Sequence, residues 1–388
     1  MVSVFTATYN RAYILEKLYI SLLRQTNYDF EWIIVDDGSQ DRTEDMVNSW
    51  IQNTRQFPII YKKTSNGGKH RAINYGVALA QGEAFFIVDS DDVLIKDAIE
   101  FINDKFDPIV DNSEFAGISG VRVNKNGEII GGTPCFSDFV DATNFERKNY
   151  SLTGDKAEVY KASILRKYPF PEFDNETFLT EAVVWDAIAF DGLKLRWYNK
   201  PLYYTEYLID GLTRNSYRLK KNNPLGWAEW IRRERSYGRL MGQELTRVLF
   251  AFIECVDLCP DVTCSVLEIP KSEYDILCQK KERFAERIKN EIESHMVRRM
   301  ALYGYGYNAR RLMGYLDDMM TIEIPYVIDR NYANIKEVPA YPLYTELPMV
   351  DSVCITLRKA EPEIRKALES MLPNSYIWQL ADLEVDEW

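Results

Sequence analysis

Short apolar runs alternate with stretches of helical periodicity through the first half of the chain. Ser3-Val4-Phe5-Thr6-Ala7-Thr8 predicts a buried strand, followed by a helix whose core face is Ile14, Leu15, Leu18, Ile20, Leu22 and Leu23. Trp32-Ile33-Ile34-Val35 predicts a second strand, ending in Asp36-Asp37-Gly38-Ser39. The next helix carries Met46, Val47, Trp50 and Ile51, with Asp41 or Thr43 as its cap. Pro58-Ile59-Ile60-Tyr61 is a third strand, and the Asn66-Gly67-Gly68 loop leads to a helix through Ala72, Ile73, Val77 and Leu79. Ala84-Phe85-Phe86-Ile87-Val88 is a fourth strand, opening into Asp89-Ser90-Asp91-Asp92. Near-continuous apolar strands alternating with helices indicate a mostly parallel sheet covered on both faces. Ligands of such sheets bind beyond the carboxyl ends of the strands, where polar groups from these four strand ends would converge.

The pattern then changes. Phe173 to Glu181 leads into an apolar helix, Ala182 to Phe190. From Leu219 to Arg299, Trp227, Trp230, Ile231, Tyr237, Leu240, Leu245, Val248, Leu249, Phe252 and Ile253 recur at helical spacing, a stripe read as core rather than a ligand platform. This helical segment either packs on the first domain, shapes a second-substrate site or mediates homo-oligomer formation. In the last ninety residues, Arg299 to Tyr303 leads into Gly304-Tyr305-Gly306-Tyr307-Asn308-Ala309 and a helix, Arg310 to Met320. Further strands are expected at Ile324 to Asp329 and Val353 to Thr356. The Gly-x-Gly-x-x-Ala turn resembles a mononucleotide-binding half of a Rossmann unit. The tail is too short for a full dinucleotide fold, so a packing or dimerisation module is favoured over a nucleotide or regulatory site. The expected division is 1–215, a helical connector over 216–298 and a small Rossmann-like α/β domain over 299–388.

Composition narrows the function classes. A net charge of −12 over 388 residues argues against nucleic acid as partner, because phosphate binding needs a basic face. No run of 18 apolar residues suggests a transmembrane segment, and the immediate entry into a strand leaves no room for a signal peptide. A cytoplasmic protein is expected. Arg218 to Lys221 and Arg232-Arg233 are read as solvated helix faces, with peripheral docking at the inner membrane face as the alternative. The six cysteines lack the paired spacing of zinc knuckles and are read as reduced core thiols.

Candidate chemistry centres on Asp89-Ser90-Asp91-Asp92. Carboxylates two residues apart at a strand end suit a hard divalent cation and a sugar hydroxyl. Mg²⁺ and Mn²⁺ often take only one or two protein carboxylates, the rest coming from substrate phosphates and water. The plain alternative is an acidic turn capping the next helix.

The ordered motifs Thr8-Tyr9-Asn10-Arg11, Val35-Asp36-Asp37-Gly38-Ser39, Asn66-Gly67-Gly68-Lys69-His70-Arg71-Ala72-Ile73-Asn74 and Asp89-Ser90-Asp91-Asp92 resemble the family 2 glycosyltransferases of GT-A fold. The resemblance covers residues 1–215. It implies that Thr8, Asn10 and Arg11, with Asp36 or Asp37, hold the pyrimidine base of a nucleoside diphosphate sugar. Asp89 would contact the ribose, with Ser90 beside it, and Asp91 would bind Mn²⁺ or Mg²⁺ bridging the phosphates. Asn66, Lys69 and Arg71 join the donor-binding set. The resemblance further implies inversion at the anomeric carbon, with one carboxylate as general base. Glu181 sits where such enzymes place it, although this chain has Thr180-Glu181 in place of an acidic pair. Glu176 and Asp186 are competitors, and a helix-start carboxylate favoured by the dipole is the plain alternative. Asp155 is an acceptor-binding candidate or an ordinary turn residue. Tyr207 to Arg214 reads as a loop that Gly211 would let fold over the donor, with Arg214 reaching a phosphate or simply facing solvent. His70 is read as a packing or solvent residue.

The chain thus reads as an inverting, metal-dependent transferase, moving a sugar from a UDP-linked donor to a saccharide or lipid-linked saccharide hydroxyl in bacterial surface polysaccharide synthesis. The alternatives are a non-catalytic sugar-nucleotide-binding protein and an NAD-dependent oxidoreductase built on the terminal glycine turn.

Overall fold

A computed structural model describes residues 1–205, 216–319 and 322–384. The chain divides into two compact units, Met1–Leu208 with Leu225–Tyr237, and Ile209–Pro224 with Gly238–Trp388.

The first unit begins with β1 Val2–Thr8, α1 Leu15–Leu23, β2 Phe30–Asp36, α2 Thr43–Asn53, β3 Ile59–Lys63, α3 Lys69–Leu79 and β4 Ala84–Ile87. These four strands are parallel. Thr8 lies opposite Asp36, Asp36 opposite Lys63, and Phe5 opposite Ile87, so their carboxyl ends share one edge. There follow β5 Val93–Leu94, α4 Ala98–Phe106, β6 Phe115–Val123, β7 Phe139–Ala142, β8 Ala157–Lys161, α5 Ala162–Lys167, α6 Ala182–Phe190 and β9 Lys194–Tyr204. The sheet order is β3-β2-β1-β4-β8-β6-β9-β5, with β7 paired to β9. The later half is mixed: β8 runs antiparallel to β4 and β6, and β5 and β7 antiparallel to β9. Reversal at β8 brings its first residues, Ala157 and Glu158, to the edge where β4 ends.

Strand alternation splits the core into two layers. Val4, Trp32, Ile34 and Phe86 join Leu15, Leu18 and Leu22 of α1 on one face. Phe5, Ile33, Val35 and Phe85 join Ala72 and Ile73 of α3 and Val183 and Val184 of α6 on the other. After α7 Ser216–Asn222, which falls in the second unit, α8 Pro224–Ser236 supplies Trp227 and Ile231, buried as the helical stripe predicts.

The second unit contains α9 Gly242–Cys255, α10 Pro260–Leu267 and α11 Lys271–Ser294, then β10 Met300–Tyr303, α12 Tyr307–Met319, β11 Val327–Ile328, β12 Ala340–Tyr341, β13 Ser352–Ile355, α13 Pro362–Met371 and β14 Tyr376–Gln379. Its five strands are all parallel, in the order β12-β11-β10-β13-β14. Ala301, Tyr303, Ile328, Val353 and Ile355 form its core with Ile364 and Leu368 of α13.

Among the described residues, no helix is long and apolar enough to cross a membrane. The cysteines depart from the expectation of core thiols. Cys255 and Cys354 are buried, whereas Cys135 and Cys259 are exposed, Cys135 in a loop and Cys259 just ahead of the Pro260 helix start.

Candidate active site

Two loops at the carboxyl edge are tied together by side chains. Asn10 adopts a positive φ of 52°, a left-handed conformation that asparagine tolerates better than most residues. Its backbone N–H donates to Ser39 Oγ at 2.8 Å and its Oδ1 accepts from Gln40 N at 2.8 Å. Asp41 accepts from Ala12 N at 3.0 Å and from Thr43 N at 3.0 Å, so Asp41 rather than Thr43 serves the start of α2.

Both aspartates of the second loop are committed to the protein itself. Asp36 accepts from Ser39 N at 2.7 Å and from the Tyr61 hydroxyl at 2.6 Å. Asp37 accepts from Gly67 N at 2.7 Å and Gly68 N at 2.8 Å, and Asn66 Nδ2 donates to it at 3.2 Å. Burial still pushes the Asp37 carboxyl up against these bonds. The glycine loop is therefore drawn onto the end of β2. It is also pressed against residues 173–177. Gly68 has a φ of +94°, and a Cβ there would lie 1.9 Å from the Thr177 carbonyl oxygen. Arg71, one of the donor candidates, donates to the Phe173 carbonyl at 2.5 Å and lies 3.4 Å from Glu172.

Lys69, the first residue of α3, connects the tetrad to the start of α6. Its Nζ is 2.5 Å from Asp89 Oδ1 and 2.8 Å from Glu181 Oε1, and both carboxylate side chains remain 34% exposed. Burial alone would pull the Lys69 ammonium down, but Asp89 and Glu181 outweigh it and hold it above the ordinary lysine range. Asp89 shows the converse. Burial raises its carboxyl, and Lys69, Arg122 and Arg11 together bring it below the usual value.

The rest of the tetrad is short of positive charge. Burial and the Asp89 carboxylate push Asp91 up, with Arg11 and Lys69 opposing them. Asp92 is buried and pushed up to about 7 by burial and by Asp89. Its Oδ1 accepts from Thr205 Oγ1 at 2.6 Å, while its Oδ2 is buried without a partner. Thr8 Oγ1, at the end of β1, is also buried without a partner. Ser90, between Asp89 and Asp91 in sequence, is buried.

These observations fit a divalent cation at Asp91. A cation there would relieve a half-buried carboxylate crowded by Asp89 and would supply what its surroundings lack. Among the described residues, no three His, Cys, Asp or Glu side chains close on one point. The protein would thus provide one or two ligands, as Mg²⁺ and Mn²⁺ sites on phosphates commonly require.

The competitors for the base are occupied elsewhere. Glu176 is buried and accepts from Leu225 N at 2.6 Å and Gly226 N at 2.8 Å, bonding the start of α8. Asp186 is buried and accepts from Asn144 Nδ2 at 2.6 Å. Asp155 is exposed, 4.0 Å from Arg122 Nη1. Tyr207 to Arg214, with Gly211, lies outside the described residues apart from the motif's place in the sequence.

Two charged residues facing this region, Arg122 and Glu158, were not anticipated. Arg122 of β6 donates to the Lys156 carbonyl at 3.0 Å, stacks over Tyr203 at 5.1 Å and exerts its charge on Asp89 and Asp92. Glu158 of β8 lies 3.6 Å from Arg147, and burial pushes it up to about 7. The signal was present in the sequence: Arg122 interrupts the largely apolar strand Phe115–Val123, and Glu158 lies within the buried strand Ala157–Lys161. A charge inside a buried strand needs a partner, and that makes it a candidate for a polar site.

In the second unit, the acidic residue after β11 is consumed locally. Asp329 accepts from Tyr305 N at 2.8 Å and from Asn331 N at 2.7 Å. The carboxylate that a dinucleotide site would turn toward a ribose is bonded to the glycine turn instead.

Residues 3–135 match the family model described as Glycosyl transferase family 2. Abequosyltransferase RfbV of Salmonella typhimurium is 39% identical over 114 residues, which cover 29% of this chain and 34% of that protein. Glycosyltransferase GlyG of Streptococcus pneumoniae serotype 4 is 32% identical over 100 residues, covering 26% of this chain and 33% of the relative. The match therefore spans only 34% and 33% of these relatives' lengths. The solved structure of S. aureus TarS 1-349 in complex with UDP-GlcNAc aligns at a TM-score of 0.45 and 17% identity, over 72% of this chain and 91% of that one. The four ordered motifs at the carboxyl edge of the sheet all fall within residues 3–135, the stretch that is similar to the Glycosyl transferase family 2 model.

Proposed function

We propose that the first unit transfers a sugar, with inversion, from a nucleoside diphosphate donor to a hydroxyl of a saccharide or lipid-linked saccharide. UDP is the preferred nucleotide, and the functional parts are residues 1–215, a helical connector over 216–298 and a small α/β domain over 299–388. The observation that carries this reading is Lys69, which brings Asp89 of the tetrad and Glu181 of α6 onto one ammonium group.

In this reading Thr8, Asn10 and Arg11 line the base and ribose side of the crevice, with Asn66 behind them. Asp36 and Asp37 shape that wall through their bonds to Ser39, Tyr61 and the glycine loop. Asp89 and Ser90 face the ribose, and Arg71 braces the loop against Phe173. Asp91 would hold Mn²⁺ or Mg²⁺, whose chemistry when bound is to neutralise the leaving diphosphate without a proton. Glu181 takes the proton of the acceptor hydroxyl as that oxygen bonds to the anomeric carbon. The bond from that carbon to the diphosphate oxygen breaks, and its electron pair leaves with the nucleotide. Lys69 Nζ, 2.8 Å from Glu181 Oε1, fixes that carboxylate beside the tetrad. Asp155 is the acceptor-side candidate. Surface polysaccharide synthesis is the setting this chemistry suits.

The decisive experiment compares Glu181→Gln with wild type, following UDP release across nucleotide sugars in Mn²⁺ and donor affinity by calorimetry. Turnover is expected to fall by roughly 10²–10⁴-fold, the usual worth of a general base, with donor affinity nearly unchanged. Turnover close to wild type would remove Glu181 from the base role. Asp91→Asn is expected to abolish the Mn²⁺ dependence of donor binding, and an unaltered metal response would place the cation elsewhere.

A further inference from the structure

We propose, resting on the transferase reading of the first unit, that Glu158 of β8 reads a hydroxyl of the transferred sugar and so sets which nucleotide sugar the crevice accepts. Glu158 belongs to none of the four motifs at the carboxyl edge.

The fold brings this side chain to the crevice on the face of the sheet that α3 and α6 cover. β8 pairs antiparallel with β4, Lys161 opposite Ala84 and Val159 opposite Phe86, so the same register puts Glu158 beside Ile87, two residues before Asp89. Tyr160 shares a core layer with Phe5, Phe85 and Val183. Side chains alternate along a strand, so Glu158 points to that same face. Ser119 of β6 lies opposite Glu158, and Trp197 of β9 lies opposite Ser119. α3 begins at Lys69 and α6 just after Glu181, so both of those residues belong to helices on this face.

The Glu158 carboxylate is short of donors. Its side chain is only 13% exposed, and its charged neighbour, Arg147, stands 3.6 Å away, beyond a good hydrogen bond. Among the described residues, no hydrogen bond reaches its oxygens. Arg147 is fixed elsewhere: it donates to Asn144 Oδ1 at 3.2 Å and to the Gly154 carbonyl, and lies over the Trp197 ring at 5.5 Å. A carboxylate so placed is costly until a donor arrives. Burial pushes it up to about 7 against the Arg147 and Arg122 charges, so near neutral pH it can accept from a hydroxyl or donate to one.

Position selects the hydroxyl. Glu158 feels Glu181 on one side and, on the other, Arg122, whose charge also acts on Asp89 and Asp92. In the proposed reaction the diphosphate lies against the tetrad, and the base lies across the sugar ring from it. The transferred sugar occupies the space between them, which Glu158 borders. Asp155, three residues earlier, is exposed and better placed for an acceptor arriving from solvent. A site built around a hydrogen bond to a hydroxyl rejects sugars that lack it, because its own buried group is then left unpaired.

The test is calorimetric titration of the full chain in Mn²⁺ with UDP, UDP-glucose, UDP-galactose and UDP-N-acetylglucosamine. Wild type is expected to prefer one of the three sugars. Glu158→Leu, which keeps the volume and removes both oxygens, is expected to weaken that donor by roughly tenfold or more, the worth of a hydrogen bond to a charged group, with UDP affinity unchanged. Glu158→Gln, which keeps one oxygen, is expected to show an intermediate loss for the same donor, again with UDP unchanged. Wild-type affinity for that donor in either variant, or equal losses for it and UDP in Glu158→Gln, overturns the proposal. A wild type that binds UDP but takes the three sugars alike overturns it too and leaves the transferase reading standing. No UDP binding by wild type would overturn both.

Discussion

Lys69 joins two carboxylates that are far apart in sequence, Asp89 just after β4 and Glu181 just before α6. Without it, Asp89 would face Asp91 and Asp92 with only Arg122 and Arg11 to offset them. Lys69→Met is therefore expected to weaken donor affinity by roughly tenfold or more, since a hydrogen bond to a charged group contributes about 1.5–3 kcal/mol. Lys69→Arg should recover part of the loss. An unchanged donor dissociation constant in Lys69→Met would show that the ammonium is a bystander. His70, the next residue, gives a separate test. It is buried with no partner for Nδ1, and burial, aided by the Arg71 charge, pulls its imidazole down to about 4. The folded state then leaves His70 neutral while the unfolded chain binds a proton between pH 6.5 and about 4. Stability from this site is present above pH 6.5 and is lost as pH falls toward 4. The chain has only two histidines, so the ring resonance of His70 can be followed directly by NMR, with His70→Gln identifying it. A midpoint near 6.5 would contradict its burial. At this scale the tetrad was legible, because a carboxylate run closing an apolar strand is a local pattern. The pairing of Lys69 with Glu181, and the commitment of Glu176 and Asp186 to other partners, depend on contacts that only the fold creates.

At the scale of elements, the crevice wall depends on how closely the glycine loop and the segment before α6 approach. Gly68 meets two demands at once, a φ of +94° and a Thr177 oxygen that leaves no room for a Cβ. Gly68→Ala should destabilise the first unit by about 1–3 kcal/mol, the usual cost of backbone strain at such a site, and should lower donor affinity as the loop withdraws. Urea unfolding with parallel UDP titration would measure both effects. An alanine variant with wild-type stability would mean that the loop can shift away from Thr177 at no cost. The strands β1 to β4 and the helices between them were readable because their period changes cleanly from strand to helix. The antiparallel return of β8 was not, since nothing in Ala157–Lys161 specifies its partner or direction. Periodicity likewise marked the Trp227 stripe as core without revealing which core it serves.

At the scale of the whole molecule, that last ambiguity becomes a matter of where the first unit ends. Its contacts include Leu225–Tyr237 as well as Met1–Leu208. Glu176, buried under the start of α8, would exchange the Leu225 and Gly226 amides for water if the chain stopped at Leu208. Hydrogen bonds to a charged group contribute about 1.5–3 kcal/mol each. Trp227 and Ile231 would no longer be present to cover their neighbours, and a fully buried side chain of that size is worth about 1.5–3 kcal/mol. These losses are comparable with the roughly 5–15 kcal/mol that separates folded from unfolded domains. A chain ending at Tyr237 is accordingly expected to unfold cooperatively in urea and to bind UDP, whereas one ending at Leu208 should show a much lower midpoint and little binding. The variant Glu176→Gln in the longer chain separates the two contributions, because it weakens the bonds to α8 while leaving Trp227 and Ile231 in place. If both truncations unfold at the same denaturant concentration, α8 adds nothing to the transferase core, and its apolar stripe serves some other surface.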